Sequence, residues 1–369
     1  MSTKAEHEML EELGNDFYGK VIHDYELLEC LGEGSFGRVW KAVDKHTGDV
    51  VAIKELKKFK CCSWKKCLML REVKALRGLD HPNIIKLKQL IVENNKLYLV
   101  MECMDMALSH QLVKMGVKKL NGDEVRVVAI QLFQALAHTH GRGYFHRDLK
   151  PSNILVSTDV VKVADLGMSR EVSDDGMLSD YVTTLWYRAP EVLLMAETYG
   201  PEVDMWAMGA IMAELFTSTP LFRGSNSVDQ LWKICSVIGT PTKDTWEDGH
   251  GLSHAGNIMK LLFPKAYDCV DKLAELVPNA DENAISLIRW LCSWDGRKRP
   301  TALEALRHPF FASHYTIPKS IVTRGPMSPV ASSAMKRKAS SIRSNELRPY
   351  VYMYGYETQS IINIVLWSI

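Results

Sequence analysis

Eight consecutive residues, His146-Arg147-Asp148-Leu149-Lys150-Pro151-Ser152-Asn153, constrain the fold of this chain more than any other stretch. They put one carboxylate, two cations and one amide into a short segment. Pro151 fixes its own φ and removes a backbone donor, so the segment belongs in a loop and not inside a helix. A loop of this kind can aim several polar side chains at one point, as phosphoryl transfer requires. Asp148 could accept a hydroxyl proton, Lys150 could face a transferring phosphoryl group, and Asn153 could hold a metal ion. A solvated polar turn would need nothing further from the chain; a catalytic loop needs nucleotide contacts supplied from elsewhere.

The N-terminal side supplies them. Strand-like runs over Tyr25 to Leu31 and Val39 to Val43 flank Gly32-Glu33-Gly34-Ser35-Phe36-Gly37-Arg38. A turn at His46-Thr47-Gly48-Asp49 then leads into Val50-Val51-Ala52-Ile53-Lys54. Three glycines in six residues allow a backbone to approach phosphates without Cβ clashes. The pattern G-x-G-x-x-G is shared with dinucleotide-binding folds, but there it opens a helix, whereas here it lies between two strands. A helix is expected from Trp64 to Arg77, carrying Glu72 eighteen residues after Lys54. Glu72 is either part of a solvated face or the partner of Lys54. Strands follow at Ile84 to Val92 and Lys96 to Met101, and Glu102-Cys103-Met104 reads as a connector between two lobes.

Beyond the connector the chain turns helical. Val125, Val128, Leu132, Ala135 and Leu136 recur at three- and four-residue steps over Asp123 to His140. After the loop at 146–153 come short strands at Ile154 to Val156 and Val160 to Ala164, then Asp165-Leu166-Gly167. A polar stretch over 169–182 leads to Thr183-Thr184-Leu185-Trp186-Tyr187-Arg188-Ala189-Pro190-Glu191. Several helices fill 202–310.

In this order the parts resemble a eukaryotic protein kinase over about residues 25–311. The resemblance rests on Gly32/Gly34/Gly37, Lys54, Glu72, His146-Arg147-Asp148, Lys150, Asn153, Asp165-Leu166-Gly167 and Ala189-Pro190-Glu191. It implies an α+β, bilobal kinase fold: an N-terminal extension (1–23), a β-rich N-lobe with one key helix (24–104), a mainly helical C-lobe (105–312) and a disordered tail (313–369). Trp186 to Leu194 and the segment after Gly239-Thr240-Pro241 are similar to the CMGC group, which holds the cyclin-dependent and MAP kinases. Arg71 to Leu76, Glu102 to Asp105 and Tyr144 to Asp148 narrow the likeness to the MAK-like branch (male germ cell-associated kinase and plant cyclin-dependent kinase F-like proteins). The helix around Glu72 lacks the cyclin-docking sequence, which argues against a cyclin partner.

The resemblance implies ATP and Mg²⁺. Leu31, Gly32, Glu33, Gly34, Ser35, Phe36, Gly37, Arg38, Val39, Ala52, Lys54, Met101, Glu102, Cys103 and Leu155 would bind the nucleotide, with Lys54 on its α- and β-phosphates and paired to Glu72. Asn153 and Asp165 would hold the metal, and Asp148 would take the proton of the acceptor hydroxyl. Lys150 would stabilise the transferring group, with Thr184 bridging Asp148 and Lys150. Lys150-Pro151 points to Ser/Thr specificity, and Arg188 to acceptance of Pro after the modified residue, although Leu185 follows the cyclin-dependent pattern. Ser179-Asp180-Tyr181 lies where relatives carry Thr-x-Tyr, so an upstream kinase acting on Ser179 and Tyr181 would order the loop through Arg147 and Arg188. Leu166 replaces the usual Phe and is expected to pack with Leu76, Leu87 and His146.

Composition excludes other classes. Lys and Arg total 45 against 44 Asp and Glu, which gives no electrostatic pull toward nucleic acid or an anionic membrane. The eight cysteines follow no framework spacing, and with no signal peptide they read as reduced thiols of a cytoplasmic or nuclear protein; relatives add the cilium. Neither Cys61, Cys62 and Cys67 nor the histidine pairs complete a metal set. Met9, Leu10, Leu13 and Phe17 allow a short amphipathic helix, and Ile361 to Ile369 is apolar but too short to span a bilayer. Lys336-Arg337-Lys338 reads as part of a solvated tail. A monomer acting on protein substrates is expected. The alternative, a catalytically silent kinase-fold scaffold, would have been favoured by loss of Lys54, Asp148 or Asp165, and all three are present.

Overall fold

The computed structural model describes residues 20–34, 37–57, 64–116, 119–171, 184–196, 198–247 and 272–312. The chain divides into two compact units, 1–317 and 318–369, and all described residues belong to the first. The amphipathic N-terminal segment, Ser35, Phe36, Ser179, Tyr181 and the tail from 313 lie outside the described residues.

Five antiparallel strands, β1 (Tyr25–Glu33), β2 (Gly37–Asp44), β3 (Val50–Leu56), β4 (Leu87–Glu93) and β5 (Lys96–Glu102), form a sheet in the order β1-β2-β3-β5-β4. Alternation of side chains across the sheet sends Val51 and Ile53 to a small outer cluster with Tyr25, Ala42, Ile91 and Val100. Ala52 and Lys54 therefore point the other way, into a cleft. The β2–β3 register pairs Val39 with Lys54 and Lys41 with Ala52.

Two expected elements differ. The helix anticipated over Trp64 to Arg77 is two helices, α1 (Trp64–Leu68) and α2 (Arg71–Gly78). Leu70 between them is extended (φ −62°, ψ 135°) and is the N-cap of α2, so Glu72 sits in the first turn of a new helix. The strand expected from Ile84 starts at Leu87, because the preceding residues leave the sheet for the C-terminal half. Ile84 forms a parallel bridge with Val163, and Ile85 N–H donates to Val163 O at 2.9 Å. Asn83 Nδ2 donates to Gln131 Oε1 and to Val161 O, fixing this crossing point. The reduced-thiol reading is also corrected at one place: Cys67 is disulfide-bonded, while Cys30, Cys103, Cys235 and Cys292 are outside any disulfide. A compartment argument concerns thiols on average, whereas a disulfide depends on the local approach of two sulfurs.

After the connector, β6 (Met106–Ala107), β8 (Ile154–Ser157) and β9 (Val160–Val163) make a three-stranded sheet in the order β6-β8-β9; β7 (Tyr144–Phe145) pairs with β10 (Arg170–Glu171). The helices are α3 (Leu108–Met115), α4 (Gly122–Gly141), α5 (Pro190–Leu193), α6 (Glu202–Thr217), α7 (Ser227–Ile238), α8 (Leu273–Leu276), α9 (Glu282–Leu291) and α10 (Ala302–Ala305). A capping box starts α4: Asn121 Oδ1 accepts from Asp123 and Glu124 N–H, and Glu124 Oε2 accepts from Asn121 N–H. Val125, Ala129, Leu132 and Leu136 are its buried stripe. Helix α6 is buried on every side from Val203 to Phe216, as befits the central strut of a lobe. Gly209 permits this, since a Cβ there would lie 2.5 Å from Cys292 Sγ just after α9. One apolar core runs from Leu90, Leu97 and Leu99 of the sheet through Leu76 and Leu166 to α4 and α6.

Candidate active site

Lys54 is the centre of the cleft. Its Nζ lies 2.7 Å from Glu72 Oε1 and 2.8 Å from Asp165 Oδ1, so β3, α2 and the segment after β9 meet at one ammonium. Lys54 and Glu72 are both buried. Burial alone would lower the Lys54 pKa, but the two carboxylates outweigh it and hold the ammonium above its ordinary range. Burial likewise works against the Asp165 carboxylate, and Lys54 beside it keeps its pKa below the usual value. Asp165 has left-handed dihedrals (φ 59°, ψ 63°), a conformation uncommon for a residue with a Cβ. It leads into a 3-10 turn, Leu166–Met168, whose Leu166 is buried against α2. Leu76, Leu87, Leu166 and His146 are all buried, and the three leucines share one cluster. An aromatic ring is therefore not required at position 166.

Ser152 and Asn153 of the loop at 146–153 line the same cleft, and Arg147 to Lys150 line a smaller cavity. Lys150 Nζ lies 2.8 Å from Asp148 Oδ2, and Asn153 Nδ2 donates to Asp148 O (2.8 Å) and Oδ2 (3.1 Å). Thr184 lines a small cavity with Asp148 and Lys150 but bonds to neither; the lysine reaches the carboxylate directly. With its nitrogen turned to Asp148, Asn153 is left with Oδ1 as an oxygen donor. Asn153 and Asp165 line one cleft, and an amide oxygen with a carboxylate is the hard donor set that Mg²⁺ takes. The residues thus fit the metal expected of them.

The cleft between the sheet and the C-terminal half has a volume of about 370 Å³. Of the expected nucleotide residues, Leu31, Gly32, Val39, Ala52, Lys54, Met101, Glu102 and Leu155 line it. Glu33, Gly34, Gly37, Arg38 and Cys103 do not line it. Glu33 instead pairs with Arg38 across the mouth of the β1–β2 hairpin and with Lys57. The glycines divide in role. Nothing lies within 4 Å of a Cβ built on Gly32 or Gly34, whereas a Cβ on Gly37 would meet Glu55 O at 2.3 Å. Gly37 is thus demanded by the β2–β3 contact.

Residues 25–311 match the protein kinase domain family. The chain belongs to that family. It is 48% identical over 305 residues to cyclin-dependent kinase F-4 of Oryza sativa subsp. japonica, covering 83% of this chain and 65% of the rice protein. It is 45% identical over 292 residues to serine/threonine-protein kinase MAK of Mus musculus, covering 79% of this chain and 46% of the mouse protein. A similar likeness, 44% over 292 residues, holds for serine/threonine-protein kinase ICK of Mus musculus. These similarities agree with the MAK-like CMGC resemblance of the motifs. The chain spans less than two thirds of the length of this rice relative and less than half of the mouse ones.

Three supports of this kinase domain escaped the sequence reading. Asp204 at the start of α6 accepts His146 N–H (2.7 Å), Arg147 N–H (2.9 Å) and His140 Nε2 (2.9 Å), pinning the 146–153 loop to the central helix. Burial would raise its pKa, but the His140 bond and the backbone N–H groups keep it below the usual carboxylate range. Glu191 and Arg299 form a bidentate pair (2.6 and 2.7 Å) inside the C-lobe. Tyr187 donates to Glu214 Oε2 at 2.6 Å. Asp204 and Glu214 each offered a signal, an acid inside an apolar run, Val203 to Trp206 and Ile211 to Phe216.

Proposed function

We propose that this chain is an ATP- and Mg²⁺-dependent protein serine/threonine kinase, proline-directed and activated by phosphorylation at Ser179 and Tyr181. The observation that carries the reading is the joining of Lys54 to both Glu72 and Asp165 in a cleft also lined by Asn153, whose amide is bonded to Asp148.

Lys54, kept charged by its two carboxylates, would hold nucleotide phosphates at a fixed distance from β3. Mg²⁺ held by Asp165 and Asn153 would neutralise phosphate oxygens. Asp148 accepts the proton of a Ser or Thr hydroxyl placed at the cavity mouth, and Lys150, already 2.8 Å from it, faces the group in transit. Catalysis of this kind is positioning and electrostatics, with little covalent work for the protein. Proline direction is supported by Arg188 and Ala189, which line the cavity beside Asp148. A cyclin-independent enzyme is supported by the sequence of α2, which lacks the cyclin-docking pattern.

The test is transfer of labelled γ-phosphate from ATP-Mg²⁺ to paired peptides with Ser-Pro and Ser-Ala. Asp148→Asn is expected to lower kcat by roughly 10²- to 10⁴-fold without changing the melting temperature. Transfer that survives this change would refute the assignment of the base, and equal rates on the two peptides would refute proline direction.

A further inference from the structure

Arg147 is gripped twice by one short stretch of chain. Its backbone N–H donates to Asp204 Oδ1 at 2.9 Å, and its guanidinium donates through Nε (3.2 Å) and Nη2 (2.7 Å) to the hydroxyl of Tyr199. The guanidinium carbon lies 5.5 Å from the centre of the Tyr199 ring, which packs edge-on against Phe145 at 6.3 Å. The backbone of Arg147 is itself in the left-handed region (φ 72°).

The partner chosen is a neutral acceptor. Among the described residues the half-buried Arg147 guanidinium forms no ion pair, although two carboxylates are near. Asp148 is taken by Lys150, and Asp204 by His140 and two backbone N–H groups. Of the five N–H groups of a guanidinium, two are spent on Tyr199 and the positive charge is left uncancelled. Arg147, Lys150 and Arg188 line the same cavity with Thr184. A cation held in one orientation by a phenol keeps both its charge and its remaining donors for an incoming anion. A carboxylate in place of the phenol would have neutralised it.

We infer that Tyr199 is a positioning residue for Arg147, holding the Nε–Nη2 edge so that the remaining N–H groups meet a phosphate monoester brought against Arg188. This inference rests on the activation reading above and names the device that would make Arg147 ready for it. Such pre-organisation removes the cost of ordering a long side chain when the anion arrives.

The experiment uses the full chain as wild type, Tyr199→Phe, Arg147→Gln and the double variant, each loop-phosphorylated and phosphatase-treated. Tyr199→Phe keeps the ring, its packing on Phe145 and its face toward the guanidinium, and removes only the hydroxyl. It is expected to lower kcat of the phosphorylated enzyme about three- to tenfold, with KM for ATP and the melting temperature unchanged. The double variant should be no worse than Arg147→Gln alone, because Tyr199 acts only through Arg147. Unchanged kcat in Tyr199→Phe, or losses that multiply fully in the double variant, would overturn the inference. So would a rise in activity of phosphatase-treated Tyr199→Phe, since Tyr199 would then be a competitor of the phosphate. If phosphatase leaves wild-type kcat unchanged, the activation reading falls by itself, and the same four-variant cycle on the untreated enzyme still decides whether Tyr199 works through Arg147.

Discussion

Removing Glu191 should cost this protein more than removing any exposed carboxylate. The Arg299 side chain is fully buried and that of Glu191 only 11% exposed. Besides its two bonds to Glu191, the guanidinium donates to Ser293 O (2.8 Å), Glu202 O (3.0 Å) and Trp294 O (3.2 Å), and it sits 5.1 Å from the centre of the Trp206 ring. Glu191→Ala leaves that cation in place, surrounded by carbonyls and apolar rings but without an anion. Breaking one side of a buried ion pair costs about 3–5 kcal/mol, because the survivor keeps its desolvation penalty. For a domain of this size roughly 2 °C is lost per kcal/mol, so the melting midpoint should fall by about 6–10 °C. The assay is thermal and urea unfolding followed by circular dichroism. The paired change Glu191→Met/Arg299→Met should recover at least half of the loss, since a buried ion pair replaced by apolar side chains is close to neutral. A Glu191→Ala midpoint within about 1 °C of wild type would refute the reasoning. A double variant less stable than either single one would refute it as well.

Gly37→Ala should disturb the β2–β3 pairing, because its Cβ would lie 2.3 Å from Glu55 O, and cost about 1–3 kcal/mol in urea unfolding. Gly34→Ala, with nothing within 4 Å, should melt like wild type; equal losses at both glycines would contradict the division of roles. His81 is held down to about 4 by burial, with His138 and Lys162 adding to the effect, while its ring centre lies 5.2 Å from that of His138. The unfolded chain binds a proton at this site near 6.5 and the folded one does not. The stability contributed is therefore complete above 6.5 and is lost as the pH falls toward 4. His81→Asn, which can still accept the Asn83 N–H, should flatten stability against pH between 4 and 6.5; an unchanged slope would reject the assignment.

Much of the site was legible from the sequence because its chemistry is carried by short, ordered motifs. Lys54 and Glu72 could be paired from a strand and a helix eighteen residues apart, and they lie 2.7 Å apart. Asp148, Lys150 and Asn153 came from a single loop, and they meet around one carboxylate. What misled was local. The helix over 64–77 breaks at Leu70 although its residues continue a helical pattern, and the strand expected from Ile84 gives up its first residues to a bridge with Val163. Periodicity reports which residues are apolar and says nothing of which distant backbone will compete for their hydrogen bonds.

The order of the parts can be read along the chain: a glycine-rich hairpin, the lysine strand, the glutamate helix, the 146–153 loop and Asp165-Leu166-Gly167. Each of these is set by residue types within a few positions of one another. What holds them still comes from contacts between residues far apart in the chain. Asp204 anchors the 146–153 loop from 56 positions after Asp148, Glu191 and Arg299 close the C-lobe across 108 positions, and Gly37 has no room for a Cβ against Glu55 O. The physical reason is the same in each case. Burying a charge or closing two backbones together depends on groups that the fold alone brings into contact, and no spacing along the chain encodes that distance.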